Sequence, residues 1–191
     1  MDLRKYRVLF LFIAICIVLG VLILASNFVM KVLYPLQYSP IINRYSEEYN
    51  LDPLFVASVI RAESKFDTNA VSPKGAKGLM QISSITGKWA SEELSIPEYD
   101  ENMLFNPNAN INMGCWYLNK LKKEFSNNIR NVLAAYNAGS GNVRKWLSDE
   151  KYSSDGTELV KIPFGETREY IKRVNRNYKI YKYLYKDEYK E

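Results

Sequence analysis

The chain has 191 residues, with 26 Lys+Arg against 21 Asp+Glu, two cysteines and no histidine. At 47% hydrophobic and 25% charged, it has the composition of an ordinary folded protein and not of a disordered one. Without histidine, and with Cys16 and Cys115 far apart, it offers no Ser-His-Asp triad, no Cys-His pair and no transition-metal ligand cluster. Any chemistry falls to carboxylates, hydroxyls, amides and backbone groups, and neither a metal nor a cofactor is expected.

From Val8 to Met30 no charged residue occurs, and the run is long enough to cross a hydrocarbon core of roughly 30 Å as a helix. It exceeds the apolar stretch of a signal peptide, usually about 7–15 residues, and its end, Leu24-Ala25-Ser26-Asn27, lacks a small-x-small cleavage pattern. It therefore reads as an uncleaved anchor. Cys16, preceded by Ile15, does not fit a lipoprotein processing site and reads as a small apolar residue in lipid. Arg4, Lys5 and Arg7 precede the run and only Lys31 closely follows it, so the N-terminus is expected in the cytoplasm and the remainder outside it. The expected organisation is a basic tail over 1–7, a single membrane-spanning anchor over 8–30, a connector over 31–40, one globular domain over 41–185 and a charged tail over 186–191. Beyond the first thirty residues the net charge is +3, too weak to argue for nucleic acid. One cysteine in that part rules out an internal disulfide, so stability comes from a packed core.

Pro35 and Pro40 mark the connector, and Ser39-Pro40 reads as the cap and start of a helix through about Asn50. Asp52-Pro53 is a second helix start, and Leu54 to Ile60 is apolar nearly all round, as in a core helix ending at about Lys65. A loop with Pro73, Gly75 and Gly78 leads to a helix expected near Leu79. Ile111, Cys115, Leu118, Leu121 and Phe125 keep helical spacing, as do Val132, Leu133 and Tyr136. Gly139 closes the latter helix, a short one covers Val143 to Leu147, and the polar Ser148–Glu158 stretch reads as a mobile loop. Tyr170, Ile171, Val174, Tyr178, Tyr181 and Tyr185 form the aromatic stripe of a last amphipathic helix. No strand pattern of useful length occurs, and the domain is expected to be compact and all-α.

Phe55, Val59 and Glu63 stand at i, i+4 and i+8, so Glu63 extends the line of a buried face. A carboxyl there loses water, and desolvation raises its pKa toward what a general acid working near neutral pH requires. Pairing with Arg61 or Lys65, or simple exposure, is the plain alternative.

The string from Glu63 to Gln81 matches E-S-x-F-x(3)-A-x-S-x(2)-G-A-x-G-L-M-Q at every specified position and resembles the soluble lytic transglycosylases, relatives of goose-type lysozyme. Asn106-Pro107 with Asn110-Ile111, Gly114 and Tyr117-Leu118, then Ala135 to Val143, then Pro163 with Glu166-Thr167-Arg168-Glu169-Tyr170, are similar to three further blocks of that family in the same order. Ser84 and Ser140 depart from it, standing where many members carry proline.

The resemblance implies a lysozyme-like helical fold and cleavage of the β-1,4 bond between N-acetylmuramic acid and N-acetylglucosamine in peptidoglycan, with 1,6-anhydro product ends. It implies Glu63 as acid and then base, Ser72 and Gln81 binding sugar or orienting the carboxyl, Tyr136 and Asn137 across the cleft, and Glu166 and Tyr170 on its far wall. Each residue beyond Glu63 also has a structural reading: Ser72 as a turn starter, Gln81 as a surface residue in a first helical turn, Tyr136 as packing, Asn137 as a helix end, Glu166 as an acid at a helix N-terminus and Tyr170 as one more member of the stripe. Two other functions stay open: a lysozyme-like hydrolase, with Asp67, Asp100 or Glu101 positioning water, and a silent wall-binding module.

Overall fold

The computed structural model describes residues 3–189. The Arg4 and Lys5 side chains of the expected basic tail, and Lys190 and Glu191 of the expected C-terminal tail, lie outside the described residues.

Among the described residues eight α-helices follow one another: α1 (Leu3–Leu33), α2 (Ser39–Glu48), α3 (Pro53–Glu63), α4 (Ser84–Glu93), α5 (Pro107–Glu124), α6 (Ile129–Ala138), α7 (Ser140–Leu147) and α8 (Gly165–Tyr185). Short 3-10 helices cover Glu101–Phe105 and Lys186–Tyr189. Among the described residues there is no β-sheet, only two isolated bridges joining Val71, Lys77 and Ile82.

Within α1, the 25 residues Leu9–Leu33 are long and apolar enough to cross a membrane, and none of that stretch is buried against the rest of the chain. At 1.5 Å per residue it reaches roughly 37 Å, more than a hydrocarbon core of roughly 30 Å. The helix runs on past the expected end at Met30, and the connector shortens to Tyr34–Tyr38. That connector and the last turn of α1 are fastened at several points. Tyr185 donates to Tyr34 O at 2.8 Å, Tyr181 to Pro35 O at 3.2 Å and Arg61 to Leu33 O at 2.8 Å, while Lys31 pairs with Glu188 at 3.1 Å.

At the centre of the domain lies α3. Asp52 caps it by accepting from Leu54 N at 2.8 Å and Phe55 N at 3.3 Å, Pro53 supplies the first helical position, and all seven residues from Leu54 to Ile60 are buried. The helix α8 packs along it through Tyr170, Ile171, Val174, Asn177 and Tyr181, a spacing of three and four that turns one stripe inward. Asn177 donates to Ser58 O at 3.3 Å between the two.

Three local expectations are corrected. Tyr38, in a left-handed conformation at φ 56, precedes α2 without a side-chain cap, and Ser39 is already helical. No helix starts at Leu79; Lys77 to Ile82 is a tight turn closed by Ile82 N to Lys77 O at 3.0 Å, and α4 begins only at Ser84 behind its cap Ser83. The Ser148–Glu158 stretch is pinned, with Asp155 accepting from Thr157 N at 2.8 Å and Glu158 N at 3.1 Å, and Asn131 donating to Thr157 O at 2.7 Å.

Both departures from the family pattern, Ser84 and Ser140, occupy first helical positions, where a backbone N–H has no intrahelical acceptor and proline is tolerated. Gly139, before Ser140, has ψ 140, the extended value that a residue preceding proline requires. Ser140→Pro is therefore expected to stabilise the domain by about 0.4–1 kcal/mol through the unfolded chain. Chemical denaturation of the two proteins checks this; a lower midpoint for the variant would mean that this helix start is not preformed.

Candidate active site

The seven expected site residues come from four segments, and a cleft of about 570 Å³ collects six of them. Glu63, Ser72, Gln81, Tyr136, Asn137 and Glu166 all line it. Glu63 is the last residue of α3, one turn beyond the fully buried Val59. Burial pushes its carboxyl up to about 7, and the negative charge of Glu166 adds to this, while Tyr170 and the Arg173 guanidinium pull the other way. At neutral pH the group is thus divided between its acid and base forms.

The opposite side is the end of α6. Tyr136 lines the cleft with its ring and donates its hydroxyl to Met80 O at 2.8 Å. Burial first, and then the nearby Glu63 charge, push its phenol well above the ordinary range, so it stays a donor. Asn137 accepts from Thr167 Oγ1 at 2.7 Å, which fixes the amide and leaves its NH2 group to face elsewhere. Gly139, at φ 87, turns the chain sharply out of α6 and into α7, and it too lines the cleft.

The near wall is the loop from Ser72 to Gln81. Ser72 Oγ accepts from Ala76 N at 3.0 Å, and its hydroxyl proton remains available to a ligand. Gln81, at φ 49, donates its amide to Ala70 O at 3.1 Å and Gly78 O at 2.9 Å; it is a brace of the loop, not a first-turn helical residue. The turn itself hangs on other helices. Asn110, fully buried on α5, donates to Lys77 O at 3.0 Å and Leu104 O at 2.7 Å and accepts from Met80 N at 2.7 Å. Ser64 donates to Leu79 O at 2.8 Å. Gly78 has to be glycine here, because a Cβ would stand 2.0 Å from Leu104 O.

Tyr170 does not line the cleft wall. Only 1% exposed, it lies on the α8 stripe that faces α3, four residues on from the exposed Glu166. Its hydroxyl faces the Glu63 carboxyl but has no partner at full hydrogen-bond geometry, so the pair is an electrostatic contact rather than a formed bond. Of the carboxylates weighed for positioning water, Asp67 accepts from Asn69 N at 2.9 Å, Asp100 caps the 3-10 helix at Asn102 N at 2.8 Å, and Glu101 pairs with Lys77 at 2.8 Å. None of the three lines the cleft. Lys74, Ser83, Thr86 and Tyr117 also line it; nothing in the local sequence marks them as site residues, although Tyr117 belongs to one of the family-like blocks.

The transglycosylase SLT domain profile matches residues 40–158. The chain belongs to that family. The soluble lytic murein transglycosylase of Salmonella typhimurium is 38% identical over 143 residues, covering 74% of this chain and 22% of the relative. The membrane-bound lytic murein transglycosylase C of Pectobacterium atrosepticum is 30% identical over 174 residues, covering 76% of this chain and 47% of its own. An inactive glutamate-to-glutamine mutant of the lytic transglycosylase Slt from Pseudomonas aeruginosa superposes with a TM-score of 0.71 at 32% identity, over 80% of this chain and 25% of that one. The chain thus spans between a fifth and a half of the length of these family members, and what it shares with them is the SLT domain.

A raised carboxyl pKa has a stability cost that can be measured. Glu63 ionises near 4.5 in the unfolded chain and near 7 in the folded one, so its ionisation destabilises the fold progressively as pH rises between those values. Glu63→Gln removes that term. Thermal unfolding at about pH 8 is expected to show the variant more stable by roughly 1–3 kcal/mol, the gain vanishing below about pH 4. Equal or lower stability of the variant at the higher pH would show that the carboxyl is not held against ionisation.

Proposed function

We propose that the chain is a peptidoglycan lytic transglycosylase, anchored by α1, that cleaves the β-1,4 bond between N-acetylmuramic acid and N-acetylglucosamine. The observation that carries the reading is Glu63, a carboxyl pushed up to about 7 at the wall of an open cleft whose other faces present hydroxyl and amide groups. A group poised at that value can hold a proton for a leaving oxygen and take one back afterwards. The names of the family relatives, soluble and membrane-bound lytic murein transglycosylases, support the substrate class.

In the first step protonated Glu63 donates to the glycosidic oxygen as the bond to the muramic acid C1 breaks, and the leaving sugar departs as an alcohol. The positive charge on the ring is met by the substrate's own 2-acetamido oxygen, which closes on C1. Glu63, now ionised, then accepts the proton of the C6 hydroxyl of the same sugar as that oxygen attacks C1 and the acetamido oxygen leaves. The product has a 1,6-anhydro ring and no reducing end, and Glu63 is protonated again. In this scheme Ser72, Gln81 and Asn137 hold sugar substituents, and Tyr136 and Tyr170 set the polarity around the carboxyl.

Hydrolysis is favoured by one feature, the presence of Glu166 in the same cleft, since a second carboxylate can position water. Mass spectrometry of digested peptidoglycan separates the two readings: anhydro ends are expected, and reducing ends, heavier by one water, would establish the hydrolase. Glu63→Gln keeps the size of the side chain but cannot donate the proton, and a loss of at least about 10²-fold is expected.

We further propose that α1 crosses the membrane once with the cleft on the outer side, from the basic flank of Arg4, Lys5 and Arg7 against the single Lys31. Protease added to cells stripped of their wall should digest the domain. Digestion only after the membrane is permeabilised would reverse the topology.

A further inference from the structure

The aromatic wall of the cleft continues past its lining residues. From Tyr136 the run leads to Tyr117 at 5.5 Å between ring centroids and on to Trp89 at 6.3 Å. Trp116 lies beside both, 4.7 Å from Trp89 and 6.4 Å from Tyr117. Tyr136 and Tyr117 belong to the cleft, and Trp89 stands on α4 three residues beyond Thr86, which also lines it. Trp116 is 5% exposed and part of the core, whereas Trp89 is 42% exposed and Ile85, on the same face of α4 one turn earlier, is 83% exposed.

An indole left this open forgoes hydrophobic stabilisation, so its placement calls for a use. Its neighbours hold the ring and leave it partly open. The Trp116 ring meets it at an interplanar angle of 78°. Lys120, paired with Glu93 at 2.8 Å, keeps its ammonium 5.8 Å from the Trp89 centroid and 5.4 Å from that of Trp116. Ser83 and Thr86, the polar residues between this platform and the centre of the cleft, join hydroxyls at 2.9 Å. The arrangement is a fixed, half-open aromatic face with hydroxyl groups beside it, continuous with the groove that contains Glu63.

We propose that Trp89, with Ile85, forms an outlying sugar subsite: a stacking platform for one N-acetylated pyranose of the same glycan strand, beyond those held at Glu63. This rests on the proposed glycan-cleaving function. A β-1,4-linked pyranose carries its hydroxyls around the rim and C–H groups on its faces, and those slightly positive C–H groups suit the negative face of an indole. The sugar is joined covalently to those already in the cleft, so it meets the platform at high effective concentration and weak stacking is sufficient. The platform then selects long strands over short ones. A glycan is the fitting occupant because the apolar face adjoins the cleft and is flanked by hydroxyls, where a protein partner would use a broader apolar surface.

The test uses the full chain in detergent with Glu63→Gln, so that binding is read without cleavage. Two β-1,4-linked N-acetylglucosamine oligomers are titrated by calorimetry, one long enough only for the sugars around Glu63 and one long enough to reach α4. Trp89→Ala is expected to weaken the long oligomer about tenfold, the scale of truncating one aromatic side chain at an interface, and to leave the short one unchanged. Trp89→Tyr should restore most of the difference, and Ile85→Ser, at a position exposed enough not to disturb folding, should weaken the long oligomer alone. The proposal is overturned if Trp89→Ala leaves the long oligomer unaffected, if it weakens both oligomers equally, or if the Glu63→Gln protein binds neither. Product ends released by the unmodified chain test the catalytic reading without this titration, so the catalytic reading and the subsite fail separately.

Discussion

The side chain of Asn110 is the fastening on which the cleft depends. The turn from Lys77 to Ile82 passes through the interior without helix or sheet to satisfy its backbone, and a buried peptide group left without a partner costs about 1–3 kcal/mol. Asn110 takes up two carbonyls and one amide of that region, and Ser64 and Tyr136 take up two more carbonyls. Glycines at two positions make the approach close enough. Gly78 admits Leu104 O, and Gly114 on α5 admits Met80, whose Sδ would lie 2.2 Å from a Cβ there. The turn is therefore seated on α5 and α6 as well as on α3, and the near wall of the cleft is as rigid as the helices that carry it.

A second constraint acts on Glu63. An apolar helix ending at the cleft withholds water from the carboxyl, and the Glu166 charge disfavours its ionisation further; Tyr170 and Arg173 oppose both. The outcome near 7 is a balance, and one pKa unit corresponds to 1.36 kcal/mol, so modest changes in any of these neighbours move the group substantially. The Arg173 side chain lies 5.8 Å from the Tyr170 ring and is exposed, which makes it the contributor most open to solvent and salt. Three side chains around the carboxyl thus set the pH at which it ionises.

How much of the molecule is legible in its sequence depends on range. The core helix α3, with its Asp52 cap and Pro53, follows from adjacent residues, and so do α5, α6 and the inward stripe of α8. The apolar pair Leu79-Met80 reads locally as a helix onset, but those side chains are buried by tertiary contacts and their backbone is held by Asn110, thirty residues away in sequence from Met80. The motif blocks bring Ser72, Gln81, Tyr136, Asn137 and Glu166 to attention and imply a role for each, but not the contacts that hold them. Thr167 orienting Asn137 is a contact across thirty residues, and the neighbourhood of Trp89 and Trp116 joins α4 to α5. For Tyr170 helical phase is not enough: four residues after Glu166 it shares that residue's side of α8, and only the packing of α8 on α3 buries it. Polar composition misleads in the Ser148–Glu158 stretch, because Asp155 and Asn131 spend their side chains on its backbone.

The connector sets a mechanical limit. Five residues between α1 and α2 reach at most about 17 Å when extended, and here the carbonyls of the first two are tied to α8 and that of Leu33, just before them, to α3. The ring of Tyr34 is held between Arg61, at 5.2 Å, and Tyr181, at 6.1 Å. A flexible tether would let the domain sweep a hemisphere around its anchor; this one behaves as a bracket, giving the groove one height and one heading relative to the helix that carries it. The reach of the cleft from α1 is thus decided by the length of five residues and by three tyrosine side chains.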